Sequence, residues 1–539
     1  MRILIPLIAL VGFACASSTP QSNPAPAAAP DTPKPEEVDP SAQIAGDTQS
    51  PTESETQPVI SEEDRAQARN LIAQGQELQR EKGEGGAEEA ISLYRQALEL
   101  DPEATEAYWE LGWSYQVLDE LDEALTAWDR VRELAPDYPE LELYYPVLKM
   151  RHAQQEKLQA LPEPGMIPEP ELEPYRGPSV RFAAVGDVQT GRAWPEHRTV
   201  LPPNEGQGYF DGVKEWLQDA DVTFGNLEEV LADEGNSTKC GPKSTKCFAF
   251  RVPTSHAELF KDAGFDMMSV ANNHAGDFGP AGRQATMAAL DEAGIVYSGP
   301  VGVIATHEHN GLRIGMIAFS TGGGVYRLQE LETARRVVAD VDRTHDIVVV
   351  SFHGGAEGTG AANVPKEVEK FYGENRGDVY RFAHAMVDAG ADLIFGHGPH
   401  VLRGAEIYKG RLVAYSLGNF SSYKTFGLTR NLGWSTVLHV TIAPNGVALE
   451  AKINPVILKG PGRPVKDPKR NAIKEIRRLS REDFGNPLFN AKGEWKRPED
   501  PKPPVALYRR DDSVSLASRD SKTVRKRSSL LVVDGRHGT

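Results

Sequence analysis

Apolar positions fall into three regimes along the chain. From Ile3 to Ala14 they run together behind one cation, Arg2. From residue 62 to about 160 they recur at helical spacing among charged side chains. From residue 179 onward they gather into short β-branched runs set apart by helix-length stretches. The runs are Val180–Val185, Asp221–Phe224, Met267–Ala271, Leu312–Phe319, Asp346–Phe352, Leu393–Phe395 and Leu412–Leu417. Such alternation predicts an α/β domain with a buried sheet, here over 179–482. Residues 16–61 are rich in Pro, Ala, Ser, Thr and Glu, cannot bury a core, and read as a disordered tether. Residues 162–178 read as a Pro/Glu-rich linker, and 483–539 as a basic, mostly disordered tail.

The helical stretch repeats itself. Ala90, Tyr94, Ala97 and Pro102 return 34 residues later as Ala124, Trp128, Val131 and Pro136. Tyr108, Leu111, Gly112 and Tyr115 fill the first helix of the second copy, and Gly83-Glu84-Gly85-Gly86 lengthens the turn of the first. This period resembles that of tetratricopeptide repeats, in which small residues let paired helices approach and Pro ends the second helix. The resemblance implies an all-α tetratricopeptide-repeat domain over 62–161, capped by a helix from Pro139 to about Leu161. It also implies a protein partner.

Composition and charge narrow the setting. Residues 1–15 have the short positive start and brief apolar core of an export signal, followed by the small residues Ala16-Ser17-Ser18. Val11-Gly12-Phe13-Ala14-Cys15 resembles a lipobox, with Gly12 and Phe13 departing from its usual pattern. The resemblance implies lipidation at Cys15 and a protein tethered to a membrane of the bacterial cell envelope. The alternative is an ordinary secretory signal cut near Ala14 or Ala16. Cys240 and Cys247 flank a six-residue loop. In an oxidising compartment they would close it as a disulfide, a zinc pair being the other reading. A net charge of −18 over 539 residues argues against nucleic acid as a partner. No run beyond residue 20 approaches the ~18 apolar residues of a membrane span, which excludes a polytopic membrane protein.

The chemistry lies just after the strands, where loops of an α/β sheet build sites. The successive loops read Gly186-Asp187-Val188-Gln189, Gly225-Asn226-Leu227-Glu228, Asn272-Asn273-His274, His353-Gly354-Gly355, Gly396-His397-Gly398-Pro399-His400 and Ser416-Leu417-Gly418-Asn419-Phe420. Carboxylate and amide oxygens with neutral imidazoles suit one or two divalent ions, Mn, Zn or Fe. Taken in this order, with Gly191-Arg192 and Ala275-Gly276-Asp277, these motifs resemble those of the CapA, or poly-γ-glutamate capsule synthesis, family. That family lies within the calcineurin-like metallophosphoesterase superfamily, and the resemblance covers about residues 180–480.

The resemblance implies a layered, metallophosphatase-like α/β sandwich behind the helical repeats. It implies metal ligands at Asp187, Asn273, His353, His397 and His400, with Asn226 or Glu228 where a bridging carboxylate is expected. His274 takes the place of the superfamily's proton donor, so that Asp187 and His274 carry catalysis. Arg192, Arg403 and Asn419 border the motifs as substrate contacts. Two departures stand out: Gln189 replaces the imidazole of an Asp-x-His start, and Gly354 replaces the family's aromatic residue. The expected function is an exported metal-dependent hydrolase of a phosphoester or polymer amide, linked to an anionic capsule polymer. The alternative is a non-catalytic accessory that binds or exports such a polymer.

Overall fold

The structure, a computed structural model, describes residues 60–161, 163–166, 177–237, 239, 247–498 and 531–534. The expected signal, Cys15, most of the tether, most of the linker and Cys240 lie outside the described residues.

Five helices come first: α1 (Glu62–Lys82), α2 (Ala87–Leu100), α3 (Thr105–Val117), α4 (Leu121–Leu134) and α5 (Leu141–Gln159). Their pairing rests on one contact used twice. A Cβ on Gly75 would lie 2.4 Å from the Tyr94 ring, and one on Gly112 would lie 2.1 Å from the Trp128 ring. Each second helix thus sets an aromatic side chain into a notch that only glycine leaves open. Trp128 also donates its indole N–H to Trp109 O, 3.1 Å away. The longer turn after α1 adds residues between notch and ring without changing the contact.

The α/β domain holds strands β1 (Val180–Gln189), β2 (Val222–Leu227), β3 (Val230–Leu231), β4 (Arg251–Val252), β5 (Met267–Ser269), β6 (Val296–Ser298) and β7 (Val303–His309). They continue as β8 (Leu312–Ser320), β9 (Tyr326–Arg327), β10 (Ile347–His353), β11 (Glu369–Phe371), β12 (Glu374–Gly377), β13 (Leu393–His397), β14 (Ala405–Tyr408) and β15 (Arg411–Ala414). The last are β16 (Asn419–Ser422), β17 (Trp434–Ile442), β18 (Ala448–Lys459), β19 (Arg463–Lys466), β20 (Glu494–Lys496) and β21 (Leu531–Asp534). The helices among them are α6 (Lys214–Leu217), α7 (His256–Ala263), α8 (Gly279–Glu292), α9 (Leu331–Asp342), α10 (Val379–Asp388) and α11 (Asn471–Phe484).

Two large sheets form. One runs β19-β18-β17-β1-β2-β5-β6, with β16 on β1 and β20 on β18. The other runs β14-β15-β13-β10-β8-β7-β21, with β9 on β8. Within them β1, β2, β5 and β6 are parallel, as are β8, β10, β13 and β15. Side chains alternate between the two faces of each strand. Phe182 and Ala184 of β1 point to the core between the sheets, where Phe224 stacks on Phe395 at 5.3 Å. Ala183 and Val185 face α7 and α8 on the other side. The outer face of the second sheet is covered by α9 and α10. The result is helix, sheet, sheet, helix: the layered sandwich expected, behind the all-α region.

Three expectations need correction. β17, antiparallel to β1, and β18, antiparallel to β17, were absent from the run of strands the pattern suggested. The run Leu412–Leu417 is broken, because β15 ends at Ala414 and β16 starts at Asn419. The tail expected from residue 483 carries order: α11 reaches Phe484, β20 pairs with β18, and β21 adds to β7 in parallel. The two parts also meet. Leu158 of α5 joins the core under α9, and Lys157 pairs with Asp340 at 2.5 Å.

Candidate metal centre

The parallel strands of both sheets end at one rim. β1 delivers Asp187, β2 delivers Asn226 and then Glu228, β10 ends on His353, and β13 ends on His397. His400 follows in the next loop at φ 59°, a left-handed conformation that costs a non-glycine residue about 1 kcal/mol. Such strain persists where the surrounding structure enforces it. Here Asn419 does so: its side chain donates to His400 O at 3.2 Å and its Oδ1 lies 3.0 Å from His400 Nδ1.

Ligand atoms of Asp187, Glu228 and His400 lie within 4.8 Å of one another, all buried. His397 Nδ1 lies 3.2 Å from Asp187 Oδ1, and His400 Nδ1 lies 3.2 Å from Oδ2. Both are at ion-pair distance. His353 Nε2 and His400 Nε2 each lie 3.7 Å from Glu228 Oε1. Asn226 donates to Asp187 Oδ1 at 2.9 Å, and Asn272 donates to Asn226 Oδ1 at 3.2 Å, so an amide chain sets the carboxylate's angle. Many polar atoms here are buried without a hydrogen-bond partner among the described residues. They are Asp187 Oδ2, both Glu228 oxygens, Asn273 Oδ1, His353 Nε2 and both His397 nitrogens.

Electrostatics follow from the packing. Burial works against charge on Asp187, but His397 and His400 outweigh it and hold the carboxyl far below its usual range. Burial drives Glu228 well upward, against His400 and with Asp187. Burial opposes a charged His400, yet Glu228 and Asp187 push it up to about 10. His353 is kept neutral by burial. Metal binding at such a site is coupled to ligand protonation, because imidazole and carboxylate donors hold a cation in their deprotonated forms. Two carboxylates and three imidazoles are a donor set that fits a divalent ion such as Mn, Fe or Zn.

His274 stands at the side of this cluster. Its Nδ1 lies 2.8 Å from Asp277 Oδ2, and Lys239 pairs with the same carboxylate. Burial and Lys239 lower the imidazole's proton affinity, against Asp277. Asn273 offers its unpartnered Oδ1, while its carbonyl accepts from Lys239 Nζ at 2.9 Å.

The remaining expected residues are placed otherwise. Arg403, expected on substrate, is buried and gives Glu369 two bonds of 2.7 and 2.6 Å, with a third to Ala361 O. A buried guanidinium has to be matched, and this one is spent on the fold. Asn419 is spent on His400 and Leu432 O. Arg192 lies outside the cluster, pairing with Val200 through backbone and reaching Arg198 O. Cys247 is disulfide-bonded, and Cys240 lies outside the described residues. A Cβ on Gly354 would meet Leu328 at 2.6 Å and Arg376 O at 3.0 Å, so no aromatic side chain fits there.

Glu357, in the loop His353-Gly354-Gly355-Ala356-Glu357 after β10, and Arg376 also reach this region. Glu357 Oε2 comes within 3.9 Å of His400 Nε2, and Arg376, buried, lies 2.9 Å from Glu357 Oε1. Glu357 follows a strand-ending histidine by four residues, which was a usable signal. Arg376 sits on the short strand β12 and had none.

Residues 181–424 match the family described as bacterial capsule synthesis protein PGA_cap, and residues 83–143 match the tetratricopeptide repeat family. Among curated proteins, the chain is 29% identical over 304 residues to the capsule biosynthesis protein CapA of Bacillus anthracis, covering 52% of this chain and 68% of that one. It is 28% identical over 299 residues to the PGA biosynthesis protein CapA of Bacillus subtilis, covering 52% and 73%. Among solved structures, a purple acid phosphatase from yellow lupin seeds aligns over 53% of each chain at 11% identity with a TM-score of 0.28, too low to bear on fold or function. Residues 181–424 of this chain are therefore similar to the bacterial capsule synthesis family and to the CapA proteins, and the helical region ahead of them is similar to tetratricopeptide repeats.

Proposed function

We propose that this protein is a metal-dependent hydrolase of the bacterial envelope, cleaving a phosphoester or polymer amide in capsule metabolism. In this reading it is exported and held at a membrane through Cys15. One observation carries the hydrolase: Asp187, Glu228 and His400 bring ligand atoms within 4.8 Å of one another, and buried oxygens and ring nitrogens there lack hydrogen-bond partners among the described residues. Each such atom costs about 1–3 kcal/mol when left unmatched, and a divalent cation would offset that cost. Bound there, the cation would polarise a phosphoryl or carbonyl oxygen and ease deprotonation of water. Asp187, Glu228, His353, His397 and His400 would hold it. Asn226 fixes the angle of Asp187, and Asn419 fixes the ring of His400. His274, with Nδ1 on Asp277, keeps Nε2 as the atom that hands a proton to a leaving group. The names of the two Bacillus relatives support a capsule polymer, and the repeats support a protein partner. The anchor rests on the pattern of residues 2–18.

Metal analysis of the purified protein tests the centre. Bound Mn, Zn or Fe is expected, with at least one equivalent lost in Asp187→Ala and His397→Ala while circular dichroism is unchanged. Metal-dependent turnover of a model phosphodiester or of poly-γ-glutamate should be lost in the same variants. Polymer retention without turnover, surviving His274→Ala, would mark a non-catalytic clamp instead. Mass spectrometry of the mature amino terminus decides the anchor.

A further inference from the structure

The helical region carries three acids that no cation holds. Gln76 of α1 donates to Glu106 Oε1 at 3.1 Å and to Glu110 Oε1 at 2.9 Å, so one amide gathers two carboxylates of α3. Tyr138, ahead of α5, donates to Glu106 Oε2 at 3.0 Å. Burial, then the charges of Glu106, Glu140 and Glu110, drive the Tyr138 hydroxyl upward, so the three carboxylates stand around it. Glu110 is only 5% exposed, and its Oε2, like Glu140 Oε2, is buried without a hydrogen-bond partner among the described residues. Two cations act on this group from a distance, and both are engaged elsewhere. Arg80 pairs with Glu77, and Arg283 donates to Gly323 O and Gly324 O. Among the described residues no ion pair reaches Glu106, Glu110 or Glu140. Trp113 and Tyr144, half-buried and edge to face at 5.0 Å, flank the strip and suit the stem and head of a long cationic side chain.

The chain carries the complement itself. From Arg519 to Leu530 it holds Arg519, Lys522, Arg525, Lys526 and Arg527 against Asp520 alone. These residues lie outside the described ones, but the strand that follows them is placed. β21 starts at Leu531, opposite Val303 of β7. Gly302, beside Val303, abuts α5: a Cβ there would lie 3.5 Å from Met150 Cγ. From Met150 back to Glu140 a helix spans about 15 Å. Extended chain from Leu531 back to Arg527 and Arg525 reaches about 13–20 Å. The cations therefore enter beside α5, within reach of the acids at its start.

We propose that the basic segment Arg519–Leu530 docks on the Glu106–Glu110–Glu140 strip of the helical region. The inference is independent of the hydrolase reading, and it gives the repeats an occupant within the chain. The test is zero-length carbodiimide cross-linking of the full-length protein, read by mass spectrometry of its peptides. Amide links from Lys522 or Lys526 to Glu106 or Glu140 are expected, within one chain and suppressed by high salt. In Glu110→Gln, which leaves every linking group in place, they should fall about fivefold. A labelled peptide of residues 519–530 supplies a second measurement. It is expected to bind at least about tenfold tighter to a chain carrying Lys522→Gln, Arg525→Gln, Lys526→Gln and Arg527→Gln, where the tethered segment no longer competes. Adding Glu110→Gln should remove that gain. No link from these lysines, links only to other carboxylates, links only between copies in a mixture of light and heavy-isotope chains, or a peptide bound equally by both chains would overturn the docking. Metal content is expected to be the same in all these variants. An empty metal centre thus sinks the hydrolase and leaves the docking, whereas bound metal without the links does the reverse.

Discussion

A Cβ on Gly186 would sit 1.8 Å from Gly418 O and 2.8 Å from Leu417 O. Asp187 N donates to that same Gly418 carbonyl at 2.9 Å. The loops carrying Asp187 and Asn419 therefore touch through bare backbone, and no side chain fits between them. Gly186→Ala is expected to destabilise the protein by about 1–3 kcal/mol and to weaken metal binding as the loops part. Urea unfolding and metal titration check it, and wild-type values in both would show that the loops yield freely. The same scale shows what was legible. Asp187, His353 and His397 each close a β-branched run, so a sheet places them at its rim whatever the loops do. Arg403 misled because a cation next to a motif reads as a substrate contact until burial is known. Its partner Glu369 lies on β11, across a stretch whose course no local pattern reveals.

Among the helices, the repeat was readable because its cause is local. Helices of one pair touch at fixed positions, so Tyr94 and Trp128 recur with the period of the unit itself. A buried acid in the same region was not readable. Glu110 sits in α3 beneath Gln76 and beside Glu106, nearly fully buried. Burial, opposed by the Gln76 bond and aided by Glu106, pushes its carboxyl up from 4.5 to about 7. The folded state thus holds this proton more tightly than the unfolded chain. Its contribution to stability is complete below about pH 4.5 and is lost as pH rises through 7. The loss amounts to about 3 kcal/mol at most. Thermal unfolding followed from pH 5 to 8 is expected to show the helical region weakening with rising pH, and Glu110→Gln is expected to flatten the trend. A parallel decline in both proteins would assign it to other groups.

The whole molecule is joined along α5 and α9. Arg336 Nη1 donates to Leu158 O and Leu161 O, each at 3.2 Å, and pairs with Glu163. Leu158 lies in the core beneath Val337 and Val341. Lys157 and Asp340 add an ion pair which, half-exposed on one side, contributes less than about 1 kcal/mol. The junction should therefore depend on Arg336 more than on that pair. Arg336→Ala is expected to speed proteolysis after residue 161 several-fold, with Lys157→Ala close to wild type. Limited proteolysis followed by mass spectrometry reads both. Equal protection in the two variants would place the junction's strength in the apolar contacts of Leu158 and Leu161. The linker pattern of residues 162–178 announced a boundary but not that the helices on its near side pack against the domain beyond.

Features set by neighbours within one turn, one strand or one repeat were open to reading from the residues in order. They include the helical units, the parallel strands and the metal-type side chains at the strand ends, because local backbone geometry alone fixes where such groups point. Folding settled which charges meet, since Arg376 with Glu357, Arg403 with Glu369 and Lys239 with Asp277 join loops that chain order keeps apart. It also drew Phe426 and Phe250, far apart in the chain, to one edge of the centre. Burial then turned these encounters into energetic commitments: an unmatched charge in the interior costs several kcal/mol, so each pairing had to be completed where the chain packed.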